Sequence, residues 1–234
     1  MRIEPLRWAW VGRIAYREAI WAMERVAERV ISCSETGRVL FLEHPPTVTL
    51  GRRAGQNALK APADRLSEMG ISIERADRGG EATYHGPGQL VVYPVVNLRA
   101  LGVGVEGYVE GLQEATRLTL ADFGVSDAWG DMKRPGVWTP GGKIAAIGLR
   151  VRRGVATHGM ALNIDVDRRP FDMIVPCGME GVKVACMADY ITAPTLREVS
   201  VALAGRLGEV FGAPVLEEDV AEMVPKSRQE VEIA

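Results

Sequence analysis

Apolar residues recur with the helical period in several long segments of the chain. Within Arg13–Ile31, apolar residues such as Met23 alternate with charged residues such as Glu24 at the spacing of an amphipathic helix. Two later segments repeat this pattern, and a shorter one begins with a proline and ends before a glycine, which is typical of a short helix. The predicted helices are Arg13–Ile31, Ala61–Met69, Val105–Phe123 and Thr195–Phe211.

Shorter apolar runs predict strands between these helices. Leu90–Leu98 is rich in valine and has the near-continuous apolar character of a strand buried on both faces. Lys143–Arg153 alternates between apolar residues and arginines, and Gly154 then turns the chain into an antiparallel partner over Val155–Val166. The other predicted strands are Trp8–Val11, Arg38–Leu42, Thr47–Leu50, Ile71–Glu74 and Gly136–Trp138.

This mixture of elements predicts an α/β fold of the α+β type. We expect a mixed, largely antiparallel sheet with helices packed on it, because strands joined by short turns pair directly with each other. Neither an internal repeat nor a linker divides the sequence. The prediction is one catalytic domain over residues 1–216, followed by a polar C-terminal tail over residues 217–234 that we expect to be weakly ordered.

The stretch from Ala76 to Leu98 is the first candidate for a functional site. It turns at Arg78-Gly79-Gly80, passes through the polar triplet Thr83-Tyr84-His85 and breaks again at Gly86-Pro87-Gly88. Glycines accept positive φ and let a ligand approach the backbone, so two such breaks around a polar triplet favour a loop shaped around a ligand. A simple hairpin with a Pro-Gly turn fits the stretch equally well.

Composition narrows the class of protein. The 234 residues are 47% hydrophobic and 25% charged, which is typical of a soluble globular domain. The net charge of −2 gives no basic field for nucleic acid. Because the sequence has no apolar run of bilayer length and its first residues lack the core of a signal peptide, we expect a cytoplasmic protein that does not bind membranes.

Two residues stand out as candidates for nucleophilic chemistry. Cys177 lies between Pro176 and Gly178, at a break that presents the thiol at the end of an element. A free thiol with a pKa of about 8.5 is only about 3% thiolate at pH 7, and a nearby ammonium could lower that pKa by about 1.5 units. Lys143 follows the turn at Gly141-Gly142 and is the candidate ammonium, so the two residues suggest a thiol enzyme.

Other catalytic signatures are missing from the sequence. It contains no nucleophile elbow, no HExxH or paired CxxC metal motif and no phosphate-binding loop. The histidines at positions 44, 85 and 158 are too scattered to indicate a metal site, and three cysteines do not make a disulfide framework. We therefore expect neither a metal nor a cofactor.

Several motifs together resemble one family. Glu43-His44-Pro45-Pro46 is followed by RGGEATYHGPGQLVVYP from Arg78, GGKIAAIGLR from Gly141, THGMALN from Thr157 and PCG from Pro176. In this order and spacing the motifs resemble those of the octanoyltransferases of lipoate biosynthesis, which are related to the lipoate and biotin protein ligases. The resemblance covers roughly residues 38–190 and implies the fold of the catalytic domain of those ligases.

The resemblance implies a two-step acyl transfer without a cofactor. Cys177 would attack the thioester of octanoyl-acyl carrier protein and become an octanoyl-thioester. A lysine of a lipoyl domain, either in an E2 subunit of a 2-oxoacid dehydrogenase or in the glycine-cleavage H protein, would then take the acyl group as an amide. Lys143 would lower the pKa of Cys177 and exchange protons with the leaving thiol and the incoming amine. The resemblance further implies a monomer.

The family also implies an acyl pocket. Burying about six methylenes is worth roughly 5 kcal/mol, which requires an apolar tunnel. Two histidines nearby are assigned differently: His158 is interpreted as hydrogen-bonded scaffold, whereas His85 stays open as a pocket residue. The implied pocket residues are Arg78, Gly79, Gly80, Glu81, Ala82, Thr83, Tyr84, His85, Ala146, Ile147, Gly148, Gly159, Met160 and Ala161.

The sequence departs from the family pattern at a few positions. Glu81 stands where the family has Gln or Lys, and Met179 where a branched aliphatic residue is usual. Cys186 is interpreted as a replacement for serine in preference to a resolving cysteine. Two alternatives remain open: an ATP-dependent ligase of the lipoate or biotin type, and a non-catalytic module that binds acyl carriers.

Overall fold

The computed structural model describes residues 4–33, 35–175 and 181–223. Its helices are α1 (Tyr16–Cys33), α2 (Ala63–Glu68), α3 (Val105–Asp122), α4 (Leu196–Phe211) and α5 (Val220–Met223). Its strands are β1 (Leu6–Arg13), β2 (Gly37–Glu43), β3 (Thr47–Leu50), β4 (Ser72–Arg75), β5 (Ala82–His85), β6 (Gln89–Asn97), β7 (Trp129–Gly130), β8 (Gly136–Thr139), β9 (Gly142–Arg152), β10 (Val155–Asn163) and β11 (Val215–Glu217).

The strands form a large sheet and a small one. In the described residues the large sheet has the order β11-β1-β2-β6-β10-β9-β8-β7, and the small sheet has the order β4-β3-β5. The β11–β1, β1–β2 and β3–β4 pairs are parallel, and the other pairs are antiparallel. The predicted mixed, largely antiparallel sheet with packed helices is confirmed.

Helices cover both faces of the large sheet. Leu40 and Leu42 of β2 face α1, whereas Phe41 faces the opposite way and packs in the same core as Leu112 of α3 and Leu203 of α4. All seven residues of β2 are buried. A central strand covered on both sides needs apolar residues at successive positions, which explains why β2 and β6 read as continuous apolar runs.

The segment between the two glycine turns is a strand in a different sheet from the one that follows it. β5 pairs with β3 in the small sheet, and β6 pairs with β2 and β10 in the large sheet. Both sequence interpretations of this stretch are therefore wrong in part: Thr83-Tyr84-His85 is not a loop, and the Pro-Gly turn does not close a hairpin. Gly88, with φ of +86°, permits this change of sheet because a Cβ there would lie 2.2 Å from the Asp165 carbonyl oxygen.

The chain beyond residue 216 begins with ordered contacts. β11 extends the large sheet next to β1. Glu218 forms ion pairs with Arg7, at 2.6 Å, and with Arg38, which is only 2% exposed and also bonds Glu35 at 3.0 Å. The tail that the sequence predicts from Glu217 onwards thus includes the end of β11, the short helix α5 and a carboxylate that the buried Arg38 guanidinium needs as a partner.

All three histidines are buried and hydrogen-bonded. The Nδ1–H of His44 donates to the Ile14 carbonyl at 2.9 Å, and its Nε2 accepts from the Tyr93 hydroxyl at 2.9 Å. His158 has φ of +58° and donates from Nε2 to Asp77 at 2.6 Å. Burial lowers the pKa of His44 to about 4 and that of His158 to about 3, and it lowers the pKa of His85 well below its usual value. The three rings are therefore neutral at pH 7.

The described residues form neither a membrane-spanning helix nor a cluster of metal-binding side chains. Among residues 4–33, 35–175 and 181–223, none of the helices combines the length and the apolarity needed to cross a bilayer. Over the same ranges, His, Cys, Asp and Glu side chains do not gather in threes in a way that would hold a metal ion.

Replacing Glu218 with alanine is expected to destabilise the fold. The variant leaves the buried Arg38 guanidinium with Glu35 alone, which should lower the free energy of unfolding by about 2 kcal/mol. Urea denaturation at pH 7 measures the change. Glu217→Ala is the matched control, because the pair between Glu217 and Arg197 is 50% and 41% exposed and should contribute less than about 1 kcal/mol. Equal losses in the two variants would contradict the role assigned to Glu218.

Stability is expected to fall between pH 6.5 and pH 4. In this range the unfolded chain binds a proton at His44 and the folded protein does not, because the folded pKa is about 4 against an ordinary value of 6.5. The unfolding free energy is therefore retained above pH 6.5 and lost as the pH falls, by up to about 2 kcal/mol at pH 5 from this residue. Urea denaturation of the wild type and His44→Gln across this range tests the effect. Identical slopes in the two proteins would exclude His44 as a source.

Candidate active site

A recess opens between the antiparallel strands β9 and β10 and the segment that leads into β5. It encloses about 520 Å³, including its open mouth. Twelve of the fourteen pocket residues expected from the sequence line it, and we call this cavity the main recess. They are Arg78, Gly80, Glu81, Ala82, Thr83, His85, Ala146, Ile147, Gly148, Gly159, Met160 and Ala161.

The two remaining residues lie outside the wall of the main recess. Tyr84 is 3% exposed and packs edge-on against Phe171, with ring centroids 5.3 Å apart, because alternate residues of β5 point to opposite faces. The Gly79 N–H donates to the Leu149 carbonyl at 2.7 Å and so ties the glycine turn to β9. Both residues shape the recess through the backbone.

The main recess is also lined by four residues that the sequence did not indicate as pocket residues. Tyr16 comes from the start of α1, Val91 and Tyr93 come from β6, and His158 comes from β10. Tyr93 lies within the motif that begins at Arg78, so its position there was the available signal. Tyr16 precedes that motif by about sixty residues, and only the packing of α1 on the sheet brings it to the recess.

Lys143 lies in a smaller cavity beside the main recess. It is 7% exposed, and its Nζ is 5.2 Å from the centroid of the Trp138 ring. Thr83, Ala146 and Ala161 line both cavities, so the two adjoin. We call this second cavity the lysine recess; it is lined by Thr83, Gln89, Lys143, Ala146, Ala161, Asn163, Phe171, Val182 and Val184.

The backbone around Lys143 holds the segment that follows Cys177 in sequence. The Lys143 N–H donates to the Lys183 carbonyl at 2.8 Å, and its carbonyl accepts from Ala185 N–H at 3.0 Å. Cys177 itself lies outside the described residues. Two residues before Cys177 in the sequence, the Val175 N–H donates to the Ala58 carbonyl at 3.0 Å. The polypeptide is thus anchored at Val175 and again at Lys183 and Ala185, and the second anchor is the backbone of Lys143.

A chain of hydrogen bonds begins at the main recess. Arg78 Nη2 donates to Thr49 Oγ1 at 2.7 Å, and Thr49 lies 3.4 Å from His85 Nε2. His85 Nδ1 lies 2.7 Å from Gln89 Oε1. Because the carboxamide oxygen of Gln89 can only accept, His85 carries its proton on Nδ1 and accepts from Thr49 at Nε2. The neutral His85 ring is therefore a fixed link in the chain.

The same chain continues into the lysine recess. Gln89 Nε2 donates to Asn163 Oδ1 at 2.9 Å, and Asn163 Nδ2 donates to the Ala185 carbonyl at 3.1 Å. Every donor in the chain thus points from the main recess towards Ala185. Gln89 and Asn163 are 2% and 5% exposed, so an unmade bond would leave a buried polar group without a partner. The chain therefore fixes the position of Ala185, whose N–H bonds Lys143.

The Cys186 thiol is not activated by its surroundings. Cys186 is 3% exposed, and its Sγ–H donates to the Val166 carbonyl at 3.7 Å. Burial raises the pKa of this thiol, so it stays protonated at pH 7. A small, buried hydrogen-bond donor is what a serine would also provide here, which agrees with the interpretation of Cys186 as a serine replacement.

Comparison with known sequences identifies relatives over nearly the whole chain. Residues 15–208 match the family model of the lipoyl protein ligase A/B catalytic domain. An octanoyltransferase of Acidobacterium capsulatum is 40% identical over 222 residues, which cover 88% of this chain and 90% of the relative. An octanoyltransferase of Chloroflexus aurantiacus is 42% identical, with 86% of this chain and 92% of the relative covered.

Comparison with solved structures confirms the fold. A putative lipoate protein ligase of Thermoplasma acidophilum superposes with a TM-score of 0.76 at 18% identity, covering 92% of this chain and 88% of the other. Lipoate-protein ligase A bound with ATP gives a TM-score of 0.75 at 19% identity, with 92% and 88% covered. The chain therefore belongs to the lipoyl protein ligase A/B catalytic domain family, and within it this protein is a transferase similar to the curated octanoyltransferases.

Proposed function

We propose that the protein transfers an octanoyl group from octanoyl-acyl carrier protein to a specific lysine of a lipoyl domain, in lipoate biosynthesis. The observation that carries the proposal is the identity of about 40% to octanoyltransferases over most of both chains. The acceptors in this proposal are lipoyl domains of 2-oxoacid dehydrogenase E2 subunits and the glycine-cleavage H protein.

The main recess suits a medium-length acyl chain. Its wall includes the apolar side chains of Val91, Ile147 and Met160, together with the backbone of Gly148 and Gly159. Burying about six methylenes against such a wall is worth roughly 5 kcal/mol. This free energy is enough to hold an octanoyl chain while its carbonyl reacts at the adjoining lysine recess.

The proposed reaction uses Cys177 as nucleophile and Lys143 as the proton carrier. The Cys177 thiolate attacks the thioester carbonyl, and the carrier thiolate leaves and takes a proton from the Lys143 ammonium. The lysine amine of the lipoyl domain then attacks the octanoyl-thioester and gives a proton to Lys143. Collapse of the tetrahedral intermediate forms the amide and releases the Cys177 thiolate.

The position of Lys143 supports this assignment. Its side chain is 7% exposed in a cavity that adjoins the main recess, where its charge interacts more strongly with a neighbouring thiolate than it would in water. All three histidines of the chain are buried with lowered pKa values, so none of them supplies a cation at pH 7. Lys143 is therefore the group that we expect to stabilise the thiolate.

An ATP-dependent ligase is the alternative function, because lipoate-protein ligase A bound with ATP has a similar fold. Such a ligase would activate free octanoate as an acyl-adenylate and would not need Cys177. Incubation of the protein with ATP and octanoate, without an acyl carrier, separates the two functions. Formation of octanoyl-adenylate would favour the ligase.

Intact mass spectrometry is expected to reveal an acyl-enzyme. After incubation with octanoyl-acyl carrier protein, the wild type should gain the mass of one octanoyl group, and Cys177→Ser should gain none, because a serine hydroxyl is not ionised by Lys143. Cys186→Ser is the matched control and should still be acylated. Equal acylation of the wild type and Cys177→Ser would remove Cys177 from the mechanism.

Replacing Lys143 with alanine is expected to raise the pKa of the Cys177 thiol by about 1.5 units, because the neighbouring positive charge is lost. The pH profile of Cys177 alkylation, followed by mass spectrometry of the labelled peptide, measures this shift. The exposed Lys133→Ala is the control and should leave the profile in place. Superimposable profiles for the wild type and Lys143→Ala would contradict the proposed pairing.

A further inference from the structure

The main recess adjoins a different cavity at each of its ends. At one end it meets the lysine recess, through Thr83, Ala146 and Ala161. At the other end it meets an open cleft between the first turns of α1 and the segment that follows β4. We call this cavity the outer cleft. Among the described residues, Tyr16 and His158 are the side chains common to the main recess and the outer cleft. These two rings therefore stand between the two cavities.

We propose that Tyr16 is the residue that limits the length of the acyl chain, by closing the main recess against the outer cleft. The inference rests on the proposed octanoyl transfer and adds the determinant of its chain-length specificity. Tyr16 acts in this proposal as the end wall that the terminal methyl group meets.

The dimensions of the recess agree with an eight-carbon chain. Strand β10 runs along it from Ala161, at the lysine end, to His158, at the end wall, and it stays paired with β9 over this distance. Three residues of strand span about 10 Å. An extended octanoyl chain has seven carbon–carbon bonds of about 1.5 Å, each of which advances it by about 1.3 Å, so its length is about 9 Å. Longer chains would have to pass the wall.

The two rings of the wall are held in different ways. His158 is fixed by its 2.6 Å bond to Asp77, which also pairs with Arg150, and its backbone N–H donates to Met23 Sδ at 3.1 Å. Tyr16 is held by ring packing: its centroid is 5.4 Å from that of His44 and 6.5 Å from that of His85. Truncating Tyr16 therefore opens the wall on one side without breaking a side-chain hydrogen bond among the described residues.

The Tyr16 hydroxyl adds a polar boundary to the wall. Tyr16 is 6% exposed, and its hydroxyl has no hydrogen-bond partner within the described part of the protein. Burial raises its pKa to about 12, so it remains a neutral donor. A buried hydroxyl of this kind needs water as its partner, and the outer cleft supplies access to it. An alkyl chain that extended beyond the ring would separate this hydroxyl from the solvent of the outer cleft.

Removing the Tyr16 ring is expected to admit longer chains. We would incubate wild type and Tyr16→Ala with an equimolar mixture of octanoyl-, decanoyl- and dodecanoyl-acyl carrier proteins and measure the early acyl-enzymes by intact mass. Four further methylenes buried through the opening raise the dodecanoyl to octanoyl ratio by tenfold or more, with an upper limit of about 200-fold. The ratio within one sample does not depend on how much of the variant is folded.

Two further variants distinguish the effect of the Tyr16 ring from that of its hydroxyl and of the neighbouring residues. Tyr16→Phe keeps the ring and removes only the hydroxyl, so octanoyl should remain the preferred chain and the ratio should rise far less than in Tyr16→Ala. Trp21→Ala removes a ring that lines the outer cleft and does not line the main recess, so it should also leave the preference unchanged. A ratio in Tyr16→Ala equal to that of the wild type, or the same increase in Tyr16→Phe or Trp21→Ala, would overturn the proposal.

The outcome also distinguishes this inference from the proposed function. If the wild type forms an octanoyl-enzyme and Tyr16→Ala shows no change in the ratio, the proposed transfer stands and the end wall is elsewhere. If the wild type accepts no acyl group of any length, the proposed transfer is wrong, and the chain-length inference is overturned with it.

Discussion

The need to satisfy buried polar groups governs the arrangement of the site. Between the two sheets, five side chains form a hydrogen-bond chain that begins at Arg78 and ends at the Ala185 carbonyl. Its inner members are almost completely buried, so each missing bond would cost about 1–3 kcal/mol. The chain has one direction of donation, which fixes the orientation of both carboxamides and the tautomer of His85. The two recesses are therefore held in a single geometry.

Strand β9 contributes both to the main recess and to the position of Lys143. The strand pair β9–β10 supplies the floor of the main recess, and Gly159 lets β10 pack closely on β6, because a Cβ there would lie 2.3 Å from the Val92 carbonyl oxygen. Lys143, at the start of β9, places its side chain in the adjoining lysine recess. Because three residues line both cavities, a bound acyl chain and the proposed reacting groups would meet at a shared wall. The lipoate ligases of known structure share this fold at low identity, so the fold alone does not distinguish transfer from ATP-dependent ligation.

Sequence patterns predicted helices, strands and turns well where residues close together in the sequence determine the local structure. The amphipathic period of α1 and the Gly154 turn between β9 and β10 were both read correctly, because they depend on neighbouring residues. At α4 the expected start is confirmed by a capping box, in which Thr195 and Glu198 bond each other's backbone N–H groups. Most of the main recess followed from the family motifs, since these residues lie in short, contiguous stretches.

The remaining features depend on contacts between distant segments. The periodicity of β5 does not reveal that it pairs with β3 and not with β6, because the choice of partner is made by tertiary packing. Tyr16 reaches the main recess only through the packing of α1, and Glu218 is held by its ion pairs with Arg7 and with the buried Arg38. His158 adopts a positive φ that residue type alone would not predict. The hydrogen bond of His158 to Asp77 nevertheless agrees with its interpretation as scaffold.

The most direct test of the account is a crystal structure of the protein after reaction with octanoyl-acyl carrier protein. We expect a thioester on Cys177 Sγ, with Lys143 Nζ within hydrogen-bonding distance of the reacting sulfur or carbonyl. The alkyl chain should run along β10 through the main recess. An acyl group on another residue, or a chain that lies outside the main recess, would contradict it.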